Sequence, residues 1–214
     1  MNSATYRACS QFTPVAAGHD PENRLRSKFM LWRLDTEAIR DSLLAVSGRL
    51  DRTVGGTIFR AENKKRVTMS PNDSVYASVR GSVYLPSIRI RSFEMFSIFD
   101  VSDNGQHVAQ RPQTMVAQQA LFLMNNPLVL SQAHMLAEGV SQQVGDFALW
   151  LNWLYLTLYG RPARSAEVSA LSAVLSDLTT AAAAHQNAED SARRVAWEHL
   201  IRTMMCADEF IYIR

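Results

Sequence analysis

The chain has 214 residues, 47% of them hydrophobic, with 22 basic and 20 acidic side chains and a formal net charge of +2. That composition excludes the disordered, collagen-like and disulfide-scaffold classes, and the charge balance gives no strong overall field for nucleic acid or anionic membranes. At this length folding buries roughly 70% of the surface of the unfolded chain, so a sizeable core forms without covalent staples.

Residues 1–19 read as an irregular lead-in. Pro14, Gly18, His19 and Asp20 interrupt any apolar run of the kind a secretory signal requires. Asp20-Pro21 has the chemistry of a helix start, a capping carboxylate before a proline at the first helical position. Leu25, Phe29, Trp32, Ile39, Leu43 and Val46 follow at three- and four-residue steps, broken only at Thr36. This spacing predicts one long amphipathic helix that Gly48 stops. On it, Arg33 and Glu37 lie four apart and are placed to pair, for a few tenths of a kcal/mol.

Residues 49–81 carry loop signals: Gly55-Gly56, the basic run Lys64-Lys65-Arg66, Pro71-Asn72-Asp73 and Gly81. The basic run reads as a solvated loop. Ser82–Ile90 is strand-like, though Pro86 restricts it to an edge or a short segment. A short helix is expected over Phe93–Phe99, then a loop over Asp100–Gln113 with a turn at Asp103-Asn104-Gly105.

A helix is expected from Thr114 and is broken by Asn125-Asn126-Pro127, where Asn126 suits a cap for the next helix. That next helix carries Leu128, Val129, Ala133, Leu136 and Val140. The most apolar run, Phe147–Tyr159, has thirteen residues where a membrane span needs about 20, so a core helix is expected. Its Trp150, Trp153, Tyr155 and Tyr159 read as core packing before they read as a ligand platform. Gly160 and Pro162 end it. Further helices are expected over Ser165–Leu178 and Glu189–Met205, and Phe210–Ile213 is expected to pack back as a strand. The fold class is therefore mainly α: an irregular multi-helix domain with long loops and at most a small β hairpin or short strands, in one domain spanning 1–214.

Chemical signatures are sparse. His19, His107, His134, His185 and His199 form no zinc-protease pair, and the sequence contains no C-x-x-C, phosphate loop or nucleophile elbow. Cys9 and Cys206 are too few to fix a redox compartment. Two polar groups stand out. Asp100, Asp103, His107 and Arg111 put two carboxylates near a histidine and an arginine, without the acidic ligand that a calcium loop needs. Arg33, Glu37, Arg40 and Asp41 form the second. Glu37, Arg40, Asp100 and Arg111 are the weak catalytic candidates; no residue is a candidate for binding a cofactor or a metal.

Several stretches together resemble the planctomycete-type C-terminal domain of unknown function. They are DPENRL (Asp20–Leu25), EAIRDSLLAVSGRLD (Glu37–Asp51), Gly55-Gly56, RGSVYLP (Arg80–Pro86), Phe99-Asp100, QALFLMN (Gln119–Asn125), YGRP (Tyr159–Pro162) and DEFIYI (Asp208–Ile213). Upstream of QALFLMN the family tends to show a cysteine, an arginine pair and a proline. Val108, Gln110 and Ala117 stand there instead, leaving only Arg111. Arg164 stands where a small capping residue is usual, so Ser165 is expected to take that task.

The resemblance implies that the chain is the C-terminal fragment of a larger exported protein, periplasmic or at the cell surface, with a cytochrome c-like domain upstream. Covalent haem would then belong to that upstream domain and not to this chain. The partners implied are upstream domains of the parent protein or another exported protein, with no nucleic acid and no membrane span in this segment. The function expected is a helical structural or interaction module. The alternative is a hydrolase-like domain that uses an Asp/Glu and Arg cluster on a carbohydrate-like substrate.

Overall fold

A computed structural model describes residues 3, 7–11, 13–56, 76–85, 93–102, 107–141, 147–184 and 189–213. The fold is mostly helical. Helix α1 spans Pro14–His19, α2 Thr36–Val46, α3 Glu94–Ile98, α4 Ala117–Asn125, α5 Pro127–Ser141 and α6 Phe147–Tyr159. Helices α7 Ser165–Ala183, α8 Glu189–Met205 and α9 Asp208–Ile211 complete the set. Strands β1 Trp32–Arg33 and β2 Tyr212–Ile213 pair antiparallel, with Trp32 opposite Ile213 and Arg33 opposite Tyr212. This short ribbon joins segments far apart in sequence rather than the two arms of a hairpin.

The centre of the molecule is the packing of α5 against α8, with α7 covering the outer side of α8. Val129, Ala133, Leu136, Ala137 and Val140 are buried on α5, and Ala192, Ala196, Trp197, Leu200, Ile201, Met204 and Met205 on α8. Both sets recur at three and four residues, the period of one helical face. The fully buried alanines of the two helices, 133 and 137 on one and 192 and 196 on the other, leave room for their backbones to approach. Trp197 and Ile201 fill the same core, each stabilising it by about 1.5–3 kcal/mol. Ile39 and Leu43 of α2, Phe122 and Leu123 of α4, and Leu151, Leu154, Tyr155 and Leu158 of α6 complete the cluster.

The long helix expected from Asp20 does not form. The Asp20 carboxylate caps a turn, accepting the N–H groups of Arg24 at 2.7 Å and Leu25 at 3.0 Å. Asn23 Oδ1 does the same for the N–H of Lys28 at 3.1 Å. Asn23 and Arg26 both adopt φ of 55°, the left-handed region that no helix continues through. The apolar period survives only from Thr36 onward, where Ile39 and Leu43 find a core; Leu25 and Trp32 remain exposed. Short Asx-type bonds thus outcompete helix propagation in a segment with nothing to pack against.

Other elements differ in smaller ways. Helix α1 lies within the expected irregular lead-in. Ser82–Tyr84 forms a 3-10 turn rather than a strand start, and residues 86–90 lie outside the described residues. The basic run at 64–66 and the turn at 103–105 lie outside them too. Helix α7 continues through the alanines to Ala183. Gly48 ends α2 as expected, at φ 72°, with the N–H of Arg49 donating to Leu44 O at 2.8 Å. Asn126 caps α5, its Oδ1 accepting the N–H of Leu128 at 2.8 Å. Ser165 is the first residue of α7 rather than its cap; Glu167 instead takes the N–H of Arg164 at 2.7 Å. Phe210–Ile213 packs back as a helical turn followed by β2. Helix α6 buries one face only, and Leu149, Trp153 and Leu156 are exposed along the other. No described helix is long and apolar enough to cross a membrane.

Candidate functional site

The polar side chains singled out in sequence lie along α2 and the loops it holds. At the first turn of α2, Glu37 receives two hydrogen bonds from Arg111, at 2.8 and 2.9 Å. Beside it Arg33, nearly buried in β1, reaches Asp100 at 2.7 Å and donates to Thr114 O at 2.6 Å. Asp100 has φ 63°, a conformation an aspartate tolerates better than most residues. Its carboxylate accepts from the Thr114 N–H at 2.9 Å and the Thr114 hydroxyl at 2.7 Å. The Thr36 hydroxyl donates to Phe99 O at 3.2 Å. Together these bonds fasten the end of α3 and the segment leading into α4 onto the start of α2. Arg33 does not pair with Glu37 in the i, i+4 manner expected on a continuous helix, because β1 and α2 are separate elements.

One turn further along α2, Arg40 is buried. Its guanidinium donates to Arg80 O at 2.9 Å, to Ser82 Oγ at 3.1 Å and to Ser78 O. Asp41 takes the Ser82 N–H at 2.9 Å and the Ser82 hydroxyl at 2.7 Å. Arg80 continues the chain of contacts, donating to Thr53 O at 2.8 Å and Gly55 O at 2.6 Å, and it stacks 4.0 Å over the Tyr84 ring. The Tyr84 hydroxyl accepts the N–H of Gly55 at 2.9 Å. Gly55 has φ 80°, which explains glycine in the Gly55-Gly56 pair.

A third cluster is centred on Arg161. Arg161 holds Glu167 at 2.7 and 2.9 Å and Glu209 at 2.7 and 2.9 Å, with its guanidinium 4.9 Å from the Tyr155 ring centroid. It ties the start of α7 to α9. The Tyr159 hydroxyl adds a bond to Met204 O at 2.9 Å.

Electrostatics follow from these contacts. Burial alone would raise the Glu37 carboxyl, yet the Arg111 hydrogen bonds, its own backbone N–H and the Arg111 charge bring it below its ordinary value. Asp100 behaves alike: partial burial opposes ionisation, and bonds from Arg33 and Thr114 outweigh it. Hydrogen bonds from Arg161 take Glu167 down to about 2. Burial lowers Arg40, with Asp41 opposing, and burial raises the Tyr159 hydroxyl and the Cys206 thiol. A carboxyl held ionised by an arginine is a poor proton donor at neutral pH.

Of the four catalytic candidates, Glu37 and Arg111 are brought together, Asp100 lies next to them under Arg33, and Arg40 belongs to a separate loop anchor. They do not line one cleft. A groove of about 810 Å³ beside α2 is bounded by Leu44, Arg49, Tyr76, Phe93, Glu94 and Gln132 and by none of the four. Asp103 lies outside the described residues and His107 is exposed. No group of three His, Cys, Asp or Glu side chains placed to hold a metal ion occurs among the described residues. Cys9 and Cys206 are free thiols.

Sequence reasoning missed Arg80, Ser82, Thr114, Arg161 and Glu209 as anchoring residues. A signal was present: Arg80 and Ser82 stand in RGSVYLP, Arg161 in YGRP and Glu209 in DEFIYI. These stretches meet in pairs, EAIRDSL with RGSVYLP and YGRP with DEFIYI.

Fold and contacts together define a helical domain whose loops are fastened by arginines to helix ends. The profile of the family described as PSD1, protein of unknown function (DUF1553), matches residues 1–175, and the chain belongs to that family. No curated protein and no solved structure matches the chain.

Proposed function

We propose that this domain is a structural and interaction module of a larger exported, planctomycete-type protein that carries a cytochrome c-like domain upstream. One observation carries the choice of module over enzyme. Each candidate acid or base is already committed to an arginine or a backbone N–H that fastens a loop, and the carboxylates are biased toward staying ionised. A glycoside-cleaving pair needs one carboxyl raised toward neutrality and both facing a common cleft. Glu37 and Asp100 meet neither requirement. The exported and haem-bearing context rests on the resemblance of the motif stretches alone; membership of the family supports a domain of unknown function.

Two measurements on the native polypeptide that contains this segment test the proposal. A reduced-minus-oxidised absorption spectrum is expected to show a c-type haem band; a featureless spectrum removes the redox context. Assay against a panel of chromogenic glycosides is expected to give no turnover assignable to this domain. Hydrolysis that disappears in both Glu37→Gln and Asp100→Asn variants of unchanged fold would establish the enzyme reading instead.

A further inference from the structure

The turn that replaces the expected helix leaves an unusual surface. Between Arg24 and Trp32 the chain reads RLRSKFMLW, three cations interleaved with five large apolar side chains. Leu25 is 79% exposed, Met30 66% and Leu31 56%, and Phe29 and Trp32 are exposed as well. The segment is held in this shape, not loose. Asp20 and Asn23 bind its backbone as described, the Asn23 amide donates to Lys28 O at 3.0 Å, and the Phe29 N–H donates to Cys9 O at 3.0 Å. Its end is stapled into the molecule by β1, which sets Trp32 opposite the exposed Ile213. A concavity of about 710 Å³ lies along it, bounded by Asn23, Arg24, Arg26, Lys28, Phe29, Met30 and Trp32 together with Ser3. No carboxylate is among those residues.

We propose that residues 24–32 form a docking surface for an anionic phospholipid bilayer. The near-neutral net charge conceals the segregation: Arg24 and Arg26, both exposed, place positive charge beside an apolar tip. Phosphate groups of lipid headgroups complement that charge, and each cation near an anionic leaflet strengthens binding on the order of fivefold. Leu25, Met30 and Leu31 have no use for water, and their aliphatic chains do not stack on bases, so the pattern fits acyl chains better than nucleic acid. Trp32 and Phe29 suit the headgroup level, where an aromatic body meets a wet boundary. The cations are long enough to lie along the apolar residues while their charged ends stay at the phosphates. The domain lies on such a surface and does not span it.

The test is sedimentation of the full 214-residue chain with phosphatidylcholine vesicles made with and without phosphatidylglycerol, at low and high salt. Binding is expected only to the anionic vesicles, and it should fall as salt rises. The double variant Arg24→Gln with Arg26→Gln should lose about 25-fold, following the fivefold per cation, with unchanged circular dichroism. Met30→Ser with Leu31→Ser should weaken binding while keeping the preference for anionic lipid. Tryptophan emission should shift to the blue on binding, and the shift should vanish in Trp32→Phe. Failure to bind anionic vesicles, equal binding to neutral ones, or an unchanged affinity in the folded double arginine variant overturns the proposal. Displacement of the vesicles by a short DNA duplex at lower concentration assigns the surface to nucleic acid and overturns it as well. Should the arginine variant not fold, brominated lipid decides the matter: it should quench the emission of the unaltered chain more than that of Trp32→Phe, and equal quenching of the two rejects the surface.

Discussion

Two halves of this molecule are held by different forces. The α5–α8 pair is joined mainly by apolar area: Val129, Ala133, Ala137, Ala192, Ala196, Trp197 and Ile201 are buried on the two helices, and one polar pair, His134 with Glu198 at 2.9 Å, links them as well. The region from β1 through α4 shares that core through Ile39, Leu43, Phe122 and Leu123, but its loops are fastened by Arg33, Arg40 and Arg80, which reach to carbonyls and carboxylates. The contrast teaches where arginine is used in place of hydrophobic burial. Loops 78–82 and 111–116 carry few apolar side chains, so they cannot be held by area. A planar, multiply donating guanidinium gathers several loop carbonyls at once and fixes their geometry.

The largest effect should come from the apolar half. Trp197→Ala or Ile201→Ala is expected to cost about 4 kcal/mol in denaturant unfolding, with the whole helical signal lost in one transition. A loss below about 1 kcal/mol would break the comparison, because α5–α8 would then not be the core. Next comes Arg40→Met, which leaves the carbonyls of Ser78 and Arg80 without the buried guanidinium that donates to them and should cost about 3 kcal/mol. Limited proteolysis should then cut within 78–82 while helical circular dichroism persists. Simultaneous loss of both signals would show that the halves do not unfold separately.

Acid sharpens the contrast further. The folded Glu167 carboxyl titrates at about 2, against an ordinary value of 4.5. Its contribution is therefore complete above pH 4.5 and is lost as pH falls through about 2. Asp100 and Glu37 are lowered too, so their contributions also fade below their ordinary values of 3.8 and 4.5. Melting temperature should drop across that acid range, and Glu167→Gln should flatten part of the slope; an unaltered slope would deny the Arg161 cluster its role. The smallest effect belongs to Glu37→Gln. Its partner Arg111 is well exposed, so solvent screens the pair and the variant should lose less than about 1 kcal/mol.

The helical class, the cap at Asn126, the stop at Gly48 and the stripe of α5 were legible in the sequence, because each rests on local spacing or on a residue with one conformational task. The start of α2 was not. Leu25, Phe29 and Trp32 keep helical spacing with Ile39 and Leu43, yet Asp20 and Asn23 hold that stretch in turns and β1 takes Trp32 away. Only the pairing with Ile213, from a remote part of the chain, decides the matter. For the site, Glu37, Arg40, Asp100 and Arg111 were singled out as catalytic candidates, and the structure sets them against loops. Their partners were hidden: Thr114, Arg80 and Ser82 are ordinary residues until the fold brings them to α2, and Arg33 was assigned to the wrong carboxylate.

The ribbon of β1 and β2 carries a consequence for biosynthesis. Its strands are separated by almost every other element, so a nascent chain presents Trp32 and Arg33 long before Tyr212 and Ile213 are made. Arg33 meets Tyr212 only through a long closure of the chain. Until then Trp32 and its apolar neighbours wait without a strand beside them, a window in which a chaperone has its clearest target.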